Sequence, residues 1–172
     1  IGERIMALTR LGLNQSINLA SNVTGTLATG NGGTGATSFT SGKVLQVQSQ
    51  KLTTEASTNS TSFSDTGLTV NITPSATSSK ILVMVSLGMI YSTSNSEMQL
   101  KLFRGSTDLG RFVVNSAPGV VACGTGINEF DTPNSTSQQT YKVQFKYNAG
   151  GGSVFICINS STASITALEI AA

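Results

Sequence analysis

The sequence predicts an all-β protein: an antiparallel β-sandwich or jelly-roll head, residues 43–172, behind an extended glycine-rich N-terminal connector. In the head, apolar and polar residues alternate with a period of two in many short segments. Glycine, proline and asparagine separate these segments at regular intervals. No segment of the head has the spacing of an amphipathic helix, so we expect about seven to nine short strands.

Each predicted strand is identified by its alternation or by a short apolar run. In chain order, the predicted strands contain Leu45–Val47, Leu68–Ile72, Lys80–Tyr91, Met98–Leu102, Leu109–Val114, Pro118–Gly126, Tyr141–Tyr147, Val154–Ile158 and Ser164–Ile170. Residues 104–106 predict the turn of a β-hairpin, and residues 74–79 predict a second turn. We expect loops at residues 53–61 and 127–138, where polar and turn-forming residues dominate.

The strand Lys80–Tyr91 differs from the others because its apolar run is nearly continuous. Such continuity predicts a strand that is covered on both faces, one by the core and the other by a neighbouring subunit or sheet. Its valine and glycine content argues against a buried helix. We therefore expect a subunit interface that includes Ile81, Val83, Val85 and Leu87.

The chain before the head divides into a leader, residues 1–23, and a connector, residues 24–42. The leader carries large aliphatic residues that partly share one helical face: Leu8, Leu11, Leu13, Ile17 and Leu19. A helix this short needs a partner surface, so we expect an anchor that docks on another protein. The alternative is a frayed tail, but a purely solvated tail does not favour so many aliphatic side chains.

The connector holds six of the chain's eighteen glycines, among them Gly30, Gly32, Gly33 and Gly35. Glycine allows positive φ angles, and small residues allow several chains to pack closely side by side. A flexible linker is the other interpretation. A phosphate-binding loop is disfavoured because no Gly-Lys-Ser/Thr ending follows the glycines.

Composition excludes several classes of partner. Only 10% of the residues are charged, ten basic and eight acidic residues give a net charge of +2, and the basic residues form no cluster in the sequence. We therefore expect no binding to nucleic acid or to anionic membranes. No apolar run is long enough to cross a bilayer, and a conventional secretory signal is not recognisable at the N-terminus.

The chain has no histidine and two cysteines, which is too few ligands for a Cys/His zinc site within one subunit. We expect no metal and no cofactor. Cys123 and Cys157 are able to pair or to remain thiols. The apolar neighbours of Cys157 favour a buried free thiol.

No catalytic residues are recognisable, so we expect no enzyme. A nucleophilic serine needs an adjacent base, and without histidine only lysine or a carboxylate is left for that role. A glycosidase-type pair is conceivable among Asp65, Glu97, Asp108, Glu129, Asp131 and Glu169. Glu129 and Asp131 are the best candidates because they lie beside Phe130 in a predicted loop. Eight acidic residues are expected in a polar chain of this length in any case, so we favour solvated loop charge over a catalytic pair.

Receptor binding is also conceivable, because exposed aromatic residues beside amides suit carbohydrate ligands. The chain has no tryptophan, and most phenylalanines fall on predicted strands, where the core is the expected environment. Two pairs lie near predicted loops instead: Tyr91 with Asn95, and Phe130 with Asn134. These two pairs are our candidates for contact with a receptor.

The sequence NGGTG at Asn31–Gly35, followed by Ala-Thr-Ser, resembles the connector found repeatedly in tail fibres and other virion fibres of tailed bacteriophages. Four further segments resemble the small β domains that end many such phage proteins, which are compared with the trimeric TNF and C1q jelly rolls: Phe63–Pro74, Ser78–Gly88, Gln99–Gly105 and Ile165–Ala171.

This resemblance implies a structural virion protein that forms a homotrimer. It also implies an N-terminal segment attached to other virion proteins and an exposed head that binds a host-surface glycan or protein. The chain shows no shaft repeat between leader and head, which favours a short fibre, a baseplate or vertex fibre, or a capsid decoration (cement) protein. A fibre-borne glycan hydrolase or a free carbohydrate-binding module is the remaining alternative.

Overall fold

The structure is a computed structural model that describes residues 43–93, 97–115, 123–149 and 152–172. The predicted leader and connector, residues 1–42, lie outside these ranges, as do all their candidate anchor and glycine positions. The described residues form a β-sandwich of two antiparallel sheets. The all-β prediction is confirmed.

The described strands follow one another through short turns. They are β1 (Val44–Leu52), β2 (Ala56–Thr58), β3 (Ser64–Ile72), β4 (Lys80–Ser92), β5 (Glu97–Arg104), β6 (Thr107–Asn115), β7 (Cys123–Asp131), β8 (Gln139–Ala149), β9 (Val154–Ile156) and β10 (Ala163–Ile170). No helix in the described part of the chain is long and apolar enough to span a membrane.

One sheet has six strands in the order β1-β10-β4-β9-β2, and β7 pairs with β4 as well. The strand β4 is the centre of this sheet, since its first half pairs with both β10 and β7. The other sheet has four strands in the order β3-β8-β5-β6. Strands that are distant in sequence are therefore neighbours in both sheets.

The core lies between the sheets and is built from alternate residues of nearly every long strand. In the four-stranded sheet, the largest fully buried side chains include Leu68, Leu100, Tyr141 and Phe145. Ile165 is their fully buried counterpart in the six-stranded sheet. The period-two pattern of the sequence thus produces a sandwich with one apolar face per sheet.

Both predicted turns are confirmed. The hairpin between β5 and β6 turns at Gly105, whose φ of +56° is a left-handed conformation that glycine adopts without strain. The turn between β3 and β4 occupies residues 73–79, close to the predicted range.

Cys157 is a buried free thiol, as expected, and burial raises its pKa.

Two predicted loops were partly wrong. Residues 127–131 belong to β7, which pairs in register with β4, and residues 56–58 form the short strand β2 against β9. Both segments are polar, so their composition alone indicates a loop. Pairing with an apolar neighbouring strand, which is a tertiary effect, made them strands instead.

The close pairing of β7 with β4 depends on Gly126. A Cβ atom at this position would lie 2.5 Å from the backbone oxygen of Val85. We expect Gly126→Ala to lower the free energy of unfolding by about 1–3 kcal/mol, because the backbone has to shift. Gly110→Ala is the control, since its Cβ would meet only Ile127 Cδ1 at 3.7 Å. Equal thermal stability of the two variants would contradict this prediction.

Candidate functional site

The four residues of β4 that were predicted to form a subunit interface lie in the core instead. Ile81, Val83, Val85 and Leu87 are at most 4% exposed and belong to the core of their own chain. The prediction named the wrong face of β4, because the alternation shows which side chains lie together but not which set points inward. The outer face of β4 presents Leu82 and other even-numbered residues instead.

An apolar row crosses the outer face of the six-stranded sheet. It consists of Val47, Leu168, Leu82 and Phe130, which are successive register partners in β1, β10, β4 and β7. Val47 is 53% exposed and Phe130 is 52% exposed. Because residues directly opposite in antiparallel strands lie on the same face, these four side chains form one continuous strip, called the apolar row below.

Among the residues whose side chains the structure describes, which leave out 111–115, the large hydrophobic residues that are exposed lie on this same sheet. These residues are Val44, Leu45, Val47, Met84 and Phe130. Scattered apolar side chains are normal on protein surfaces, but a contiguous patch marks a contact site. Their presence together on the six-stranded sheet makes this face a candidate contact surface.

Beyond the apolar row the same face carries small and hydroxyl side chains. The next two rows of register partners are Ser49, Thr166, Met84 and Asn128, then Lys51, Ser164, Ser86 and Gly126. Ser49 Oγ and Thr166 Oγ1 are 2.9 Å apart and hydrogen-bonded. Lys51 is the sole charged residue of these three rows, so a second surface is able to approach closely.

The outer face of the four-stranded sheet has a different chemistry. Phe63 packs edge-on against Phe103, with ring centroids 6.3 Å apart and an angle of 68° between the ring planes. The ammonium groups of Lys101 and Lys146 lie 5.0 and 5.3 Å from the Phe63 centroid. These four residues are called the lysine–aromatic cluster below.

A surface depression of about 300 Å³ lies between β3 and β8 on the four-stranded sheet. It forms where the β3–β8 register shifts between Asp65 and Thr69, at Gly67, whose φ is +86°. Asp65 and Lys142 line the depression and form an ion pair of 3.0 Å. A hydrogen bond from Gln144, followed by the contacts with Lys142, lowers the pKa of Asp65 despite partial desolvation.

A buried charge cluster connects the two sheets. Arg104 Nη1 of β5 donates to both carboxylate oxygens of Asp131 in β7, at 2.7 and 2.6 Å. The Tyr141 hydroxyl of β8 donates to the same carboxylate at 2.7 Å. Desolvation, together with the neighbouring carboxylate, raises the pKa of Tyr141 well above its usual value. The Asp131 carboxylate is therefore occupied by partners within the protein, which indicates a structural role.

A second buried carboxylate, Glu169 of β10, is fully shielded from solvent. It accepts hydrogen bonds from the Ser75 backbone nitrogen at 2.7 Å and the Ser75 hydroxyl at 2.6 Å. Gln46 Nε2 donates to its other oxygen at 2.6 Å. Burial alone would raise its pKa, but the hydrogen bonds from Ser75, Ser79 and Gln46 outweigh burial and lower the pKa to about 2.

The candidate acids of the sequence analysis are dispersed rather than gathered. Most have structural partners: Asp131 with Arg104, Asp65 with Lys142, Asp108 with Lys101, Glu97 with Asn148 and Gln99, and Glu169 with Ser75 and Gln46. Glu129 lies on strand β7, not in the predicted loop. Within the described ranges, three or more potential metal ligands do not come together anywhere.

Of the two candidate receptor pairs, the structure describes Tyr91, Phe130 and Asn134. Tyr91 packs against Phe155 with ring centroids 5.6 Å apart, and its partner Asn95 lies outside the described residues. Phe130 belongs to the apolar row, with Lys80 Nζ 5.5 Å from its ring centroid. Asn134 is exposed in the loop that follows β7, at a φ of 51°.

No protein-family model matches the sequence, and comparison with curated protein sequences gave no match. Among solved structures, similar chains include the insecticidal delta-endotoxin Cry8Ea1 of Bacillus thuringiensis, at 21% identity and a TM-score of 0.37. That likeness covers 67% of this chain but only 19% of the toxin.

Two further structures are similar at 10% identity. Eiger TNF of S. frugiperda has a TM-score of 0.42 over 72% of this chain and 92% of its own. The VP2 subviral particle of infectious bursal disease virus has a TM-score of 0.39 over 74% of this chain and 40% of its own. Because all three scores are below 0.5, the functional argument rests on the residues of this chain.

Proposed function

We propose that this chain is a structural protein of a tailed-phage particle: a short trimeric fibre without catalytic activity. The sandwich is its exposed head, and residues 1–23 attach it to other virion proteins. The resemblance of Asn31–Gly35 to virion-fibre connectors supports the place in the particle. The observation that carries self-association is the apolar row.

The apolar row suits a second and third copy of the same chain. Burial of apolar surface is the main favourable term in most protein–protein association. The four side chains of the row carry no charge, and the adjacent row of Ser49, Thr166, Met84 and Asn128 carries none either. The nearest described cation is Lys80, whose Nζ lies 5.5 Å from the Phe130 ring centroid at the end of the row. In a cyclic trimer in which each copy turns this strip toward the three-fold axis, the exposed Val47 and Phe130 are covered in every subunit.

The position of the connector agrees with this arrangement. Residues 24–42 continue directly into Lys43 and Val44 at the start of β1, and Val44 and Leu45 are themselves exposed on this sheet. Association through the apolar row therefore brings together the starts of the β1 strands, the points at which the chain passes from connector to head.

Two locations of the fibre on the particle are possible under this proposal: the tail or baseplate, and the capsid surface. A decoration protein or vertex fibre would use the same trimeric head. Antibody labelling of intact particles, viewed by electron microscopy, separates the two. If antibodies label neither the tail nor the capsid, that result contradicts the virion assignment itself.

The test of self-association is native mass spectrometry of the full chain. We expect three copies for the wild type. Leu82→Lys should weaken the oligomer at least about a hundred-fold, because each copy would then bury an unpaired ammonium group in the contact. Ser106→Lys adds the same charge at an exposed turn and should remain trimeric.

A monomeric wild type at concentrations near 10 µM, an order of magnitude typical for weak but specific contacts, would contradict the proposal. Dissociation of Ser106→Lys to the same extent as Leu82→Lys would show that added charge, rather than the apolar row, causes the effect. Circular dichroism of both variants confirms that the head remains folded.

A further inference from the structure

We propose that the outer face of the four-stranded sheet binds an anionic saccharide at the lysine–aromatic cluster. Phe63 packs against a sugar ring, and Lys101 and Lys146 bind its carboxylate, phosphate or sulfate group. The proposal deepens the function above and rests on it in one respect, namely that this face of the head points away from the particle and from the other subunits.

The cations of this site are gathered by strand pairing. Lys101 lies on β5, whereas Lys142 and Lys146 lie on β8, more than forty residues later in the chain. Lys101 is the register partner of Gln144, so both β8 lysines are its diagonal neighbours, at about 7–8 Å between backbones.

The charges of this group are incompletely neutralised. Lys142 pairs with Asp65, and Lys101 pairs with Asp108. Lys146 has no carboxylate within ion-pair distance among the described residues, and its ammonium group lies over the Phe63 ring. Two ammonium groups beside one aromatic ring repel each other, and an anion near both relieves that repulsion.

The aromatic pair supplies the apolar part of the site. Phe63 and Phe103 are only half-buried, although they lie on the solvent side of the sheet, outside the core. The C–H face of a sugar ring is apolar and packs well against an aromatic side chain, while a neighbouring ammonium group binds an acidic substituent. Phe63 offers the apolar contact, and Lys101 and Lys146, 5.0 and 5.3 Å from its ring centroid, offer the ionic contact.

The adjoining depression provides space and hydrogen-bonding groups. Its volume, about 300 Å³, lies at the lower end of ordinary ligand sites. Asp65 on its wall is 58% exposed and accepts a hydrogen bond from Gln144 at 2.7 Å. The hydrogen bond from Gln144 and the contacts with Lys142 lower the pKa of this carboxyl group despite partial desolvation. The ionised carboxylate is able to accept hydrogen bonds from sugar hydroxyls.

The mixed charges favour a saccharide over a uniformly anionic polymer. Asp65 and Asp108 alternate with the lysines on this face and would repel a continuous phosphate backbone. A saccharide with isolated acidic groups and many hydroxyls matches cations and carboxylates together. This distinction makes nucleic acid a useful competitor in the test.

The experiment measures binding of the full chain to a glycan array that contains carboxylated, phosphorylated and sulfated saccharides with their neutral counterparts. We expect binding to acidic saccharides, and a loss of binding as sodium chloride is raised from about 0.05 to 0.5 M, because ionic contacts are screened. The array also identifies which of the three acidic groups is preferred. Single-stranded DNA is included as a further probe.

Three variants locate the site. Lys146→Gln and Phe63→Ser should each weaken binding at least ten-fold, because one removes the unneutralised cation and the other removes the ring. Lys51→Gln, which removes an exposed lysine from the other sheet, should bind like the wild type. Circular dichroism and native mass spectra of each variant verify the fold and the oligomeric state.

Several results would overturn the proposal. These are failure to bind any acidic saccharide, equal binding of the neutral counterparts, equal weakening by Lys51→Gln, and tighter binding of DNA than of any saccharide. A monomeric wild type that still binds acidic saccharides would contradict the proposed trimer and support this binding site. A trimeric wild type that binds no acidic saccharide would contradict this binding site and support the trimer.

Discussion

Asp131→Ala should lower the free energy of unfolding by about 3 kcal/mol at neutral pH. The substitution leaves the Arg104 guanidinium without its carboxylate and the Tyr141 hydroxyl without its acceptor, and both side chains lie between the sheets. Breaking a buried ion pair from one side costs about 3–5 kcal/mol. The lower end applies here because the Arg104 side chain is 21% exposed.

Urea denaturation followed by circular dichroism measures this loss. Asp65→Ala is the matched control, because it also removes an aspartate from an ion pair, but one that is exposed. Exposed pairs contribute at most about 1 kcal/mol, so we expect a small effect. Equal losses for both variants would show that the cluster between the sheets is no more important than a surface pair.

The second large effect concerns acid stability and depends on Glu169. Its pKa is about 2 in the folded chain, below the usual value of 4.5. The unfolded chain therefore binds a proton more readily, so this carboxylate contributes stability that is complete above about pH 5 and is lost as the pH falls toward 2. The difference between the two pKa values corresponds to about 3 kcal/mol.

Glu169→Gln isolates this contribution. The amide keeps the shape of the side chain but removes the charge, and its NH₂ group faces donors from Ser75 and Gln46. We expect the variant to be less stable than the wild type by about 3 kcal/mol at pH 7, and the difference to shrink toward pH 2. Chemical denaturation at a series of pH values gives this difference directly.

A constant difference between wild type and Glu169→Gln across that pH range would contradict the assignment. Asp65 also titrates with a lowered pKa, but it does so in both proteins and cancels in the comparison. Glu169 joins β10 to Gln46 of β1 and to the turn before β4. Gln46 and Glu169 are the chain neighbours of Val47 and Leu168 in the apolar row, so loss of the Glu169 charge should loosen the proposed subunit contact as well.

Much of the fold was predictable because alternation is a local property of the sequence. The strands around Leu68, Leu100 and Val143 were recognisable from their own residues, and Gly105 identified its hairpin turn. The candidate sites were predicted less well. Phe130 was recognised as exposed, but its partners in the apolar row come from strands that are distant in sequence.

The sequence by itself determined that this is an all-β chain and which side chains of each strand share a face. The tertiary structure decided which of those faces is buried, and so placed Val83 in the core and Leu82 on the outer surface. It also decided that Lys101 lies beside Lys146 and that Glu169 is enclosed by Ser75 and Gln46. These outcomes depend on register between strands far apart in the chain, and register is set by the packing of the whole sandwich rather than by any local sequence.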